Sequence, residues 1–253
     1  MLKKELPTHQ GKVAVVTGAR RGIGQAIARR LAARGASLVL VDLDDCSETR
    51  ADLQTIDAPC IGVRADVSRF GPWEEIARKA MDAFGRVDIV VNNAGIYPVA
   101  DIEDLSYELW SKVFQINLDS MFYSAKVFVP IMRRNKWGRF VNVSSNSLGT
   151  NFPGLSHYMA SKMGVIGFTR GLANDVGPHG ITVNAIGPAL TQTPGMAESG
   201  IPNEAMAAVT ALQANPKVAY AEDIVGPVLF LTSDDGQFVT GHTIMVDGGM
   251  YKL

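Results

Sequence analysis

Short apolar runs alternate with longer amphipathic ones along almost the whole chain, and this alternation limits the possible folds more than any other feature. Residues 13–17, 37–41, 61–63, 87–91, 139–143, 181–185 and 244–246 read as strands. Most are nearly all apolar instead of alternating, which is the pattern of strands covered on both faces. Helical patterns fill the intervals at 23–33, 45–55, 74–84, 107–134, 156–176 and 221–232, and Gly35, Gly85 and Gly177-Pro178 stand where helices should stop. The expectation is an α/β, doubly wound domain with a parallel seven-stranded sheet and helices on both faces. No linker, repeat or low-complexity segment divides the 253 residues, so a single domain spanning 1–253 is expected, with 1–10 as an N-terminal extension. The stretch 187–206 departs from this rhythm. It is rich in Pro, Gly and Thr and comes after a strand, so it reads as a long irregular loop covering a substrate.

Composition narrows the function classes. A formal net charge of −1 and the absence of a Lys/Arg run give no field for gathering nucleic acid or an anionic membrane surface. No apolar stretch approaches the ~18 residues of a membrane span, and the polar first ten residues do not resemble a signal peptide. A cytoplasmic protein is the expectation. Cys46 and Cys60 lack metal or redox spacing and read as ordinary thiols; no metal is expected.

The first strand runs into Thr17-Gly18-Ala19-Arg20-Arg21-Gly22-Ile23-Gly24, which opens the first helix. Glycines in that position let the backbone turn sharply and approach a pyrophosphate, which then lies on the free N–H groups at the positive end of the helix. Asp42 ends the second strand, near the ~20-residue offset at which a carboxylate can accept from the adenosine ribose hydroxyls. It would repel a 2′-phosphate, which favours NAD over NADP. Arg20 and Arg21 pull the other way, since a guanidinium can pair with that phosphate. Asp42 carries more weight because it faces the 2′ position directly, while long arginines can swing into solvent.

Tyr158 and Lys162 stand four residues apart on one helix face. A phenol titrates near ~10, and a neighbouring cation can lower it by ~1–3 units into the range of a general acid/base. With Thr17-Gly18…Gly22-Ile23-Gly24, Asn92-Asn93-Ala94-Gly95, Asn117, Ser144-Ser145, Tyr158…Lys162 and Pro188 in this order, the chain resembles the short-chain dehydrogenase/reductase family from Lys12 to Met250. The resemblance implies a Rossmann-type fold, a nicotinamide cofactor, a homotetramer and a role for each motif. Tyr158 is the general base in oxidation and acid in reduction. Lys162 lowers its pKa and holds the nicotinamide ribose. A serine holds the substrate oxygen, and Ser145, thirteen residues before Tyr158, matches the family spacing better than Ser144. Asn117 anchors a water that relays protons from Lys162, or else simply ties helix to sheet. Gly18, Arg21, Gly22, Ile23 and Gly24 cradle the cofactor; Asp42 and Leu43 meet its adenosine end. Asp66 and Val67 flank the adenine, and Asn93, Ala94 and Gly95 line the ribose, while Asn92 is structural. Pro188, Thr191 and Thr193 meet the carboxamide.

Two departures from the family pattern appear. Pro188 is followed by Ala189 instead of glycine, which leaves Thr191 and Thr193 in competition. Gly149 lies one residue further from Ser145 than usual, a change that alters the pocket wall. Tyr97, Leu148, Phe152, Leu155, Leu190 and Met196 are candidate pocket residues, and their apolar character suits a neutral secondary alcohol or ketone, cyclic or aromatic. An NADP-dependent 3-oxoacyl-[acyl-carrier-protein] reductase is the alternative. From another class, a non-catalytic NAD-binding sensor or scaffold on the same fold remains, although the Tyr and Lys that such proteins tend to lose are both present. Ala160, Gly164, Gly167 and Gly171 form a small-residue seam on the helix face opposite Tyr158, and a subunit contact is expected there.

Overall fold

The computed structural model describes residues 6–198 and 203–251. Residues 1–5 of the N-terminal extension and 199–202 of the 187–206 segment lie outside the described residues. The chain runs β1 (Val13–Thr17), α1 (Gly22–Ala33), β2 (Ser37–Asp42), α2 (Ser47–Gln54), β3 (Cys60–Arg64), α3 (Phe70–Phe84), β4 (Ile89–Asn92) and α4 (Tyr107–Phe114). A π-helical turn at Gln115–Asp119 leads into α5 (Ser120–Asn135), β5 (Gly138–Val143), a 3-10 turn at Asn146–Gly149, α6 (Ser156–Val176) and β6 (Ile181–Pro188). The remainder is β7 (Thr191–Gln192), α7 (Pro194–Glu198), α8 (Asn203–Leu212), β8 (Ala219–Tyr220), α9 (Ala221–Thr232) and β9 (Thr243–Val246).

Seven parallel strands form one sheet in the order β3-β2-β1-β4-β5-β6-β9. Alternate residues of each strand face opposite ways. Ala14 and Val16 of β1 pack with Ile27 and Leu31 of α1 and Ile224 and Val228 of α9. Val13 and Val15 pack on the other side with Trp73 of α3, Phe128 of α5 and Val176 of α6. Both faces are therefore covered, which explains the unbroken apolar strands. The strand order reverses between β1 and β4, so the loops leaving these two strands diverge and open a crevice at their carboxyl ends.

Three differences from the sequence expectation have physical causes. α3 begins at Phe70, before Gly71-Pro72, because proline in a first turn gives up an N–H that has no partner anyway. The helix expected at 107–134 is broken by the π turn, which places Asn117 inward. The segment 187–206 is not one irregular loop: β6 extends to Pro188, and β7, α7 and the start of α8 occupy most of its remaining length. Of the small-residue seam, Gly164 packs within the chain, where an added side-chain carbon would meet Leu118 Cδ2 at 2.7 Å, whereas Gly167 and Gly171 face open space. Among the described residues no helix is long and apolar enough to cross a membrane.

Candidate active site

The crevice at the β1/β4 switch point is a cleft of about 750 Å³. Its floor at one end is the glycine turn. Gly18 and Gly22 both take the left-handed conformation, with φ of 64°. A side chain at Gly18 would strike Asn93 Nδ2 at 2.7 Å, and one at Gly24 would overlap the Gly18 carbonyl, so only glycine fits both positions. Thr17 and Asn93 lock the turn to the strand beside it. Thr17 Oγ1 accepts from the Asn93 and Ala94 backbone N–H groups at 3.0 Å each, and Asn93 Nδ2 donates to the Thr17 carbonyl at 2.8 Å. The first turn of α1 carries no acidic residue and no side-chain cap. Its free N–H groups face the cleft as an anion site. The cradle therefore fits the pyrophosphate of a dinucleotide.

At the β2 end, Asp42 accepts from the backbone N–H of Arg20 at 3.1 Å and of Asp44 at 3.2 Å. These bonds hold its carboxylate at the cleft wall beside exposed Leu43. The two arginines are engaged elsewhere. Arg20 pairs with Asp44 at 3.0 Å. Arg21 makes a two-pronged pair with Glu198 of α7, at 2.5 and 2.6 Å. Asp66 and Val67 line the cleft; the Asp66 carboxylate accepts from both the hydroxyl and the backbone N–H of Ser68, which hold it below the usual carboxylate range.

At the other end, Ser145, Tyr158 and Lys162 line the same cleft. Lys162 is buried; its ammonium donates to the Val143 carbonyl at 2.8 Å and stands 5.8 Å from the Tyr158 ring centre. Burial lowers its pKa to about 8. The surroundings of the phenol act on it in the opposite sense to the ammonium that the Tyr–Lys spacing supplies. Burial pushes Tyr158 up to about 12, a hydrogen bond with Ser145 pulls it back in part, and the Tyr97 phenol raises it further. Desolvation dominates because the pocket around the phenol is largely apolar, and the buried ammonium is bonded to a carbonyl. Ser144 and Ser145 part company: Ser144 Oγ donates to the Lys162 carbonyl at 3.0 Å, while Ser145 meets Tyr158 and accepts from Ser147 N–H at 3.1 Å.

Asn117 lies beneath the cleft and is fully buried. Its amide oxygen accepts from Ile96 N–H at 2.9 Å; its nitrogen donates to the Ile96 carbonyl at 2.9 Å and to Ser161 Oγ at 3.1 Å. It thus ties the loop after β4 to α6 and holds Gly95 close to Lys162, where an added carbon would stand 3.3 Å from Nζ. Asn92 is bonded to Asn142, which donates to Thr169 of α6. Thr191 donates to the Ala189 carbonyl at 2.8 Å and is buried. Thr193 accepts from Met196 N–H at 3.2 Å and faces Gly22 across the cleft, 3.4 Å from where a carbon on Gly22 would be. Both threonines line the cleft with Pro188.

Tyr97, Phe152, Leu155, Leu190 and Met196 line the cleft, and the Tyr97 ring meets that of Tyr158 edge-on at 6.0 Å. Leu148 does not line the cleft. In a 3-10 turn successive side chains point about 120° apart, and Ser147 takes the lining position instead. Ala205 and Val209 of α8 also line it, and the sequence reading missed them. Their i, i+4 spacing was a readable signal, hidden by the Pro- and Gly-rich context upstream.

A family model described as enoyl-(acyl carrier protein) reductase matches residues 18–251. The subunit BbsD of (2S)-[(R)-hydroxy(phenyl)methyl]succinyl-CoA dehydrogenase from Thauera aromatica is 36% identical over 244 residues, covering 95% of this chain and 96% of that one. The 3-oxoacyl-[acyl-carrier-protein] reductase FabG of Escherichia coli (strain K12) is 34% identical over 246 residues, covering 96% and 99%. The crystal structure of a levodione reductase superposes with a TM-score of 0.89 at 32% identity, covering 94% of this chain and 97% of that one. The chain belongs to the short-chain dehydrogenase/reductase family. It is an oxidoreductase of the kind that acts on CH–OH groups with a nicotinamide cofactor.

Proposed function

We propose that the protein interconverts a neutral secondary alcohol, of cyclic or aromatic type, and its ketone with NAD(H), using Tyr158 as general acid/base. The observation that carries the reading is the convergence of Tyr158, Ser145 and Lys162 at one end of a cleft whose other end is a dinucleotide cradle. A bound nicotinamide supplies the hydride or accepts it. Tyr158 gives its proton to the carbonyl oxygen in reduction and removes it in oxidation. Ser145 donates a hydrogen bond to the same oxygen, where negative charge develops. Lys162 holds the ribose, and Asn117 fixes the loop after β4 and α6 around it. β7, α7 and α8 cover the substrate.

Asp42 supports NAD over NADP, because a carboxylate fixed by two backbone bonds would repel a 2′-phosphate. The ion pairs of Arg20 with Asp44 and Arg21 with Glu198 support the same choice, since each arginine already faces a carboxylate. Apart from Lys162, these arginines are the only Lys or Arg side chains lining the cleft among the described residues, so beyond that one ammonium the substrate end offers no fixed cation to a carboxylate. The exposed faces of Gly167 and Gly171 support a subunit contact along α6 in a homotetramer.

An absorbance assay with NADH and NADPH in parallel tests the proposal, using cyclic and aryl ketones beside a 3-oxoacyl thioester. The expected result is turnover of a cyclic or aryl ketone with the higher kcat/KM on NADH. Preference for the thioester with NADPH would replace this reading with the acyl-carrier one.

A further inference from the structure

The loop after Ser145 is held from an unexpected direction. Behind β9 the chain turns sharply at Asp247, a buried carboxylate that accepts from Gly249 N–H at 3.1 Å and Tyr251 N–H at 2.9 Å. Gly248 and Gly249 both adopt left-handed conformations, with φ of 66° and 78°, which reverse the chain within two residues. The turn is fixed on its far side as well, where Asn215 N–H donates to the Gly248 carbonyl at 2.9 Å. Its outcome is to deliver Met250 and Tyr251 onto the turn just past the catalytic serine. Asn146 Nδ2 donates to Met250 Sδ at 3.4 Å. The Tyr251 ring occupies the space that a side chain on residue 149 would need: a carbon added to Gly149 would overlap its edge and lie 3.0 Å from Cγ. Gly149 is the residue whose spacing from Ser145 departs from the family pattern, and the aromatic ring is what its missing side chain admits.

We propose that Tyr251 is a positioning residue of the active site. Its ring seats the Asn146–Gly149 turn and so fixes the direction of the Ser145 hydroxyl. The link is short. Ser145 caps that turn by accepting from Ser147 N–H at 3.1 Å, so a tilt of the turn carries the hydroxyl with it. A hydroxyl that must meet both Tyr158 and a substrate oxygen tolerates little movement, because misplacement by about 1 Å can cost about 100-fold in rate. Tyr251 lies outside the residues that line the cleft and acts through the turn alone. The proposal rests on the reading of Ser145 as the group that holds the substrate oxygen.

The test combines hydrogen exchange with kinetics on Tyr251→Ala, Tyr251→Phe, Gly149→Ala and the Gly149→Ala/Tyr251→Ala pair. Tyr251→Ala should speed amide exchange in 145–150 about tenfold or more while β5 exchanges as before. It should lower kcat about tenfold or more at unchanged cofactor KM and move the kcat profile to higher pH, since the Ser145 bond favours the phenolate. Tyr251→Phe keeps the ring and should behave as the parent. Gly149→Ala displaces the ring and should mimic Tyr251→Ala, with the double variant no worse than either. Parent-like exchange of 145–150 in Tyr251→Ala, equal damage from Tyr251→Phe, or additive losses in the double variant would each overturn the proposal. Exchange needs no substrate, so its result holds whatever the enzyme turns over. If the parent is active, Tyr158→Phe is dead and Tyr251→Ala is normal, this inference alone falls.

Discussion

Asp42 and Arg21 carry opposite charges on the cleft wall, and on the proposed reading the balance between them selects the dinucleotide. Replacing Asp42 by Asn keeps an acceptor for the Arg20 N–H and removes the charge. We expect kcat/KM for NADP relative to NAD to rise about 10- to 100-fold, as befits the loss of a like-charge contact worth a few kcal/mol. Glu198→Gln releases Arg21 toward an anion, so it should lower KM for NADP and leave NAD unchanged; both are read from cofactor titrations. Gly24 presents a harder constraint. A methyl there overlaps the Gly18 carbonyl and stands 2.5 Å from Asn93 Nδ2, both within the cradle. Gly24→Ala should cost about 1–3 kcal/mol of stability and abolish dinucleotide binding, measured by denaturant titration and nucleotide fluorescence. The sequence alone disclosed Asp42, Arg21 and Gly24 through their spacing. It could not disclose that Glu198 reaches Arg21, because that pair spans most of the chain.

Elements show the same division between what local pattern carries and what only packing decides. α6 and α9 have the bounds expected from the sequence, each a helical run that stops where a glycine or a serine follows. The π turn at 115–119 was illegible because one extra residue leaves the apolar pattern of 107–135 almost unchanged. α7 and the start of α8 lay hidden in a Pro/Gly/Thr-rich stretch, where composition signals a loop until tertiary contacts favour helix. The segment before β1 gives an independent prediction. His9 is fully buried; its ring bonds Thr232 of α9 at 2.9 Å and Thr8 at 3.0 Å, and its backbone N–H donates to the Arg34 carbonyl. Burial, with Arg34 and Lys12 against it and Asp234 opposing them, lowers its pKa from 6.5 to about 4. A histidine buried neutral stabilises the fold fully above its unfolded pKa. That contribution is lost as pH falls from 6.5 toward 4. Thermal melting should therefore decline across that window in the parent and decline less in His9→Gln.

For the molecule as a whole, the alternation of apolar and amphipathic runs implies a parallel sheet with right-handed crossovers; the order β3-β2-β1-β4-β5-β6-β9 is set by the packing, and the crevice follows from that order. Gly18, Gly22, Ile23, Asn93, Ala94 and Gly95, which the sequence singles out for a cofactor, line that crevice. What the sequence withheld was the electrostatic character of the cleft. A Tyr-Lys pair reads as mutually stabilising, yet burial in the folded protein raises the phenol to about 12 and lowers the ammonium to about 8. Burial thus favours the protonated phenol, and Ser145 is the neighbour that draws it back toward phenolate. The most direct test compares the parent with Tyr158→Phe for NADH-linked reduction of a cyclic ketone, with NADH binding followed by fluorescence. The account predicts that the variant loses about 100-fold or more in kcat while binding NADH as tightly as the parent. A variant that reduces the ketone as fast as the parent would contradict it.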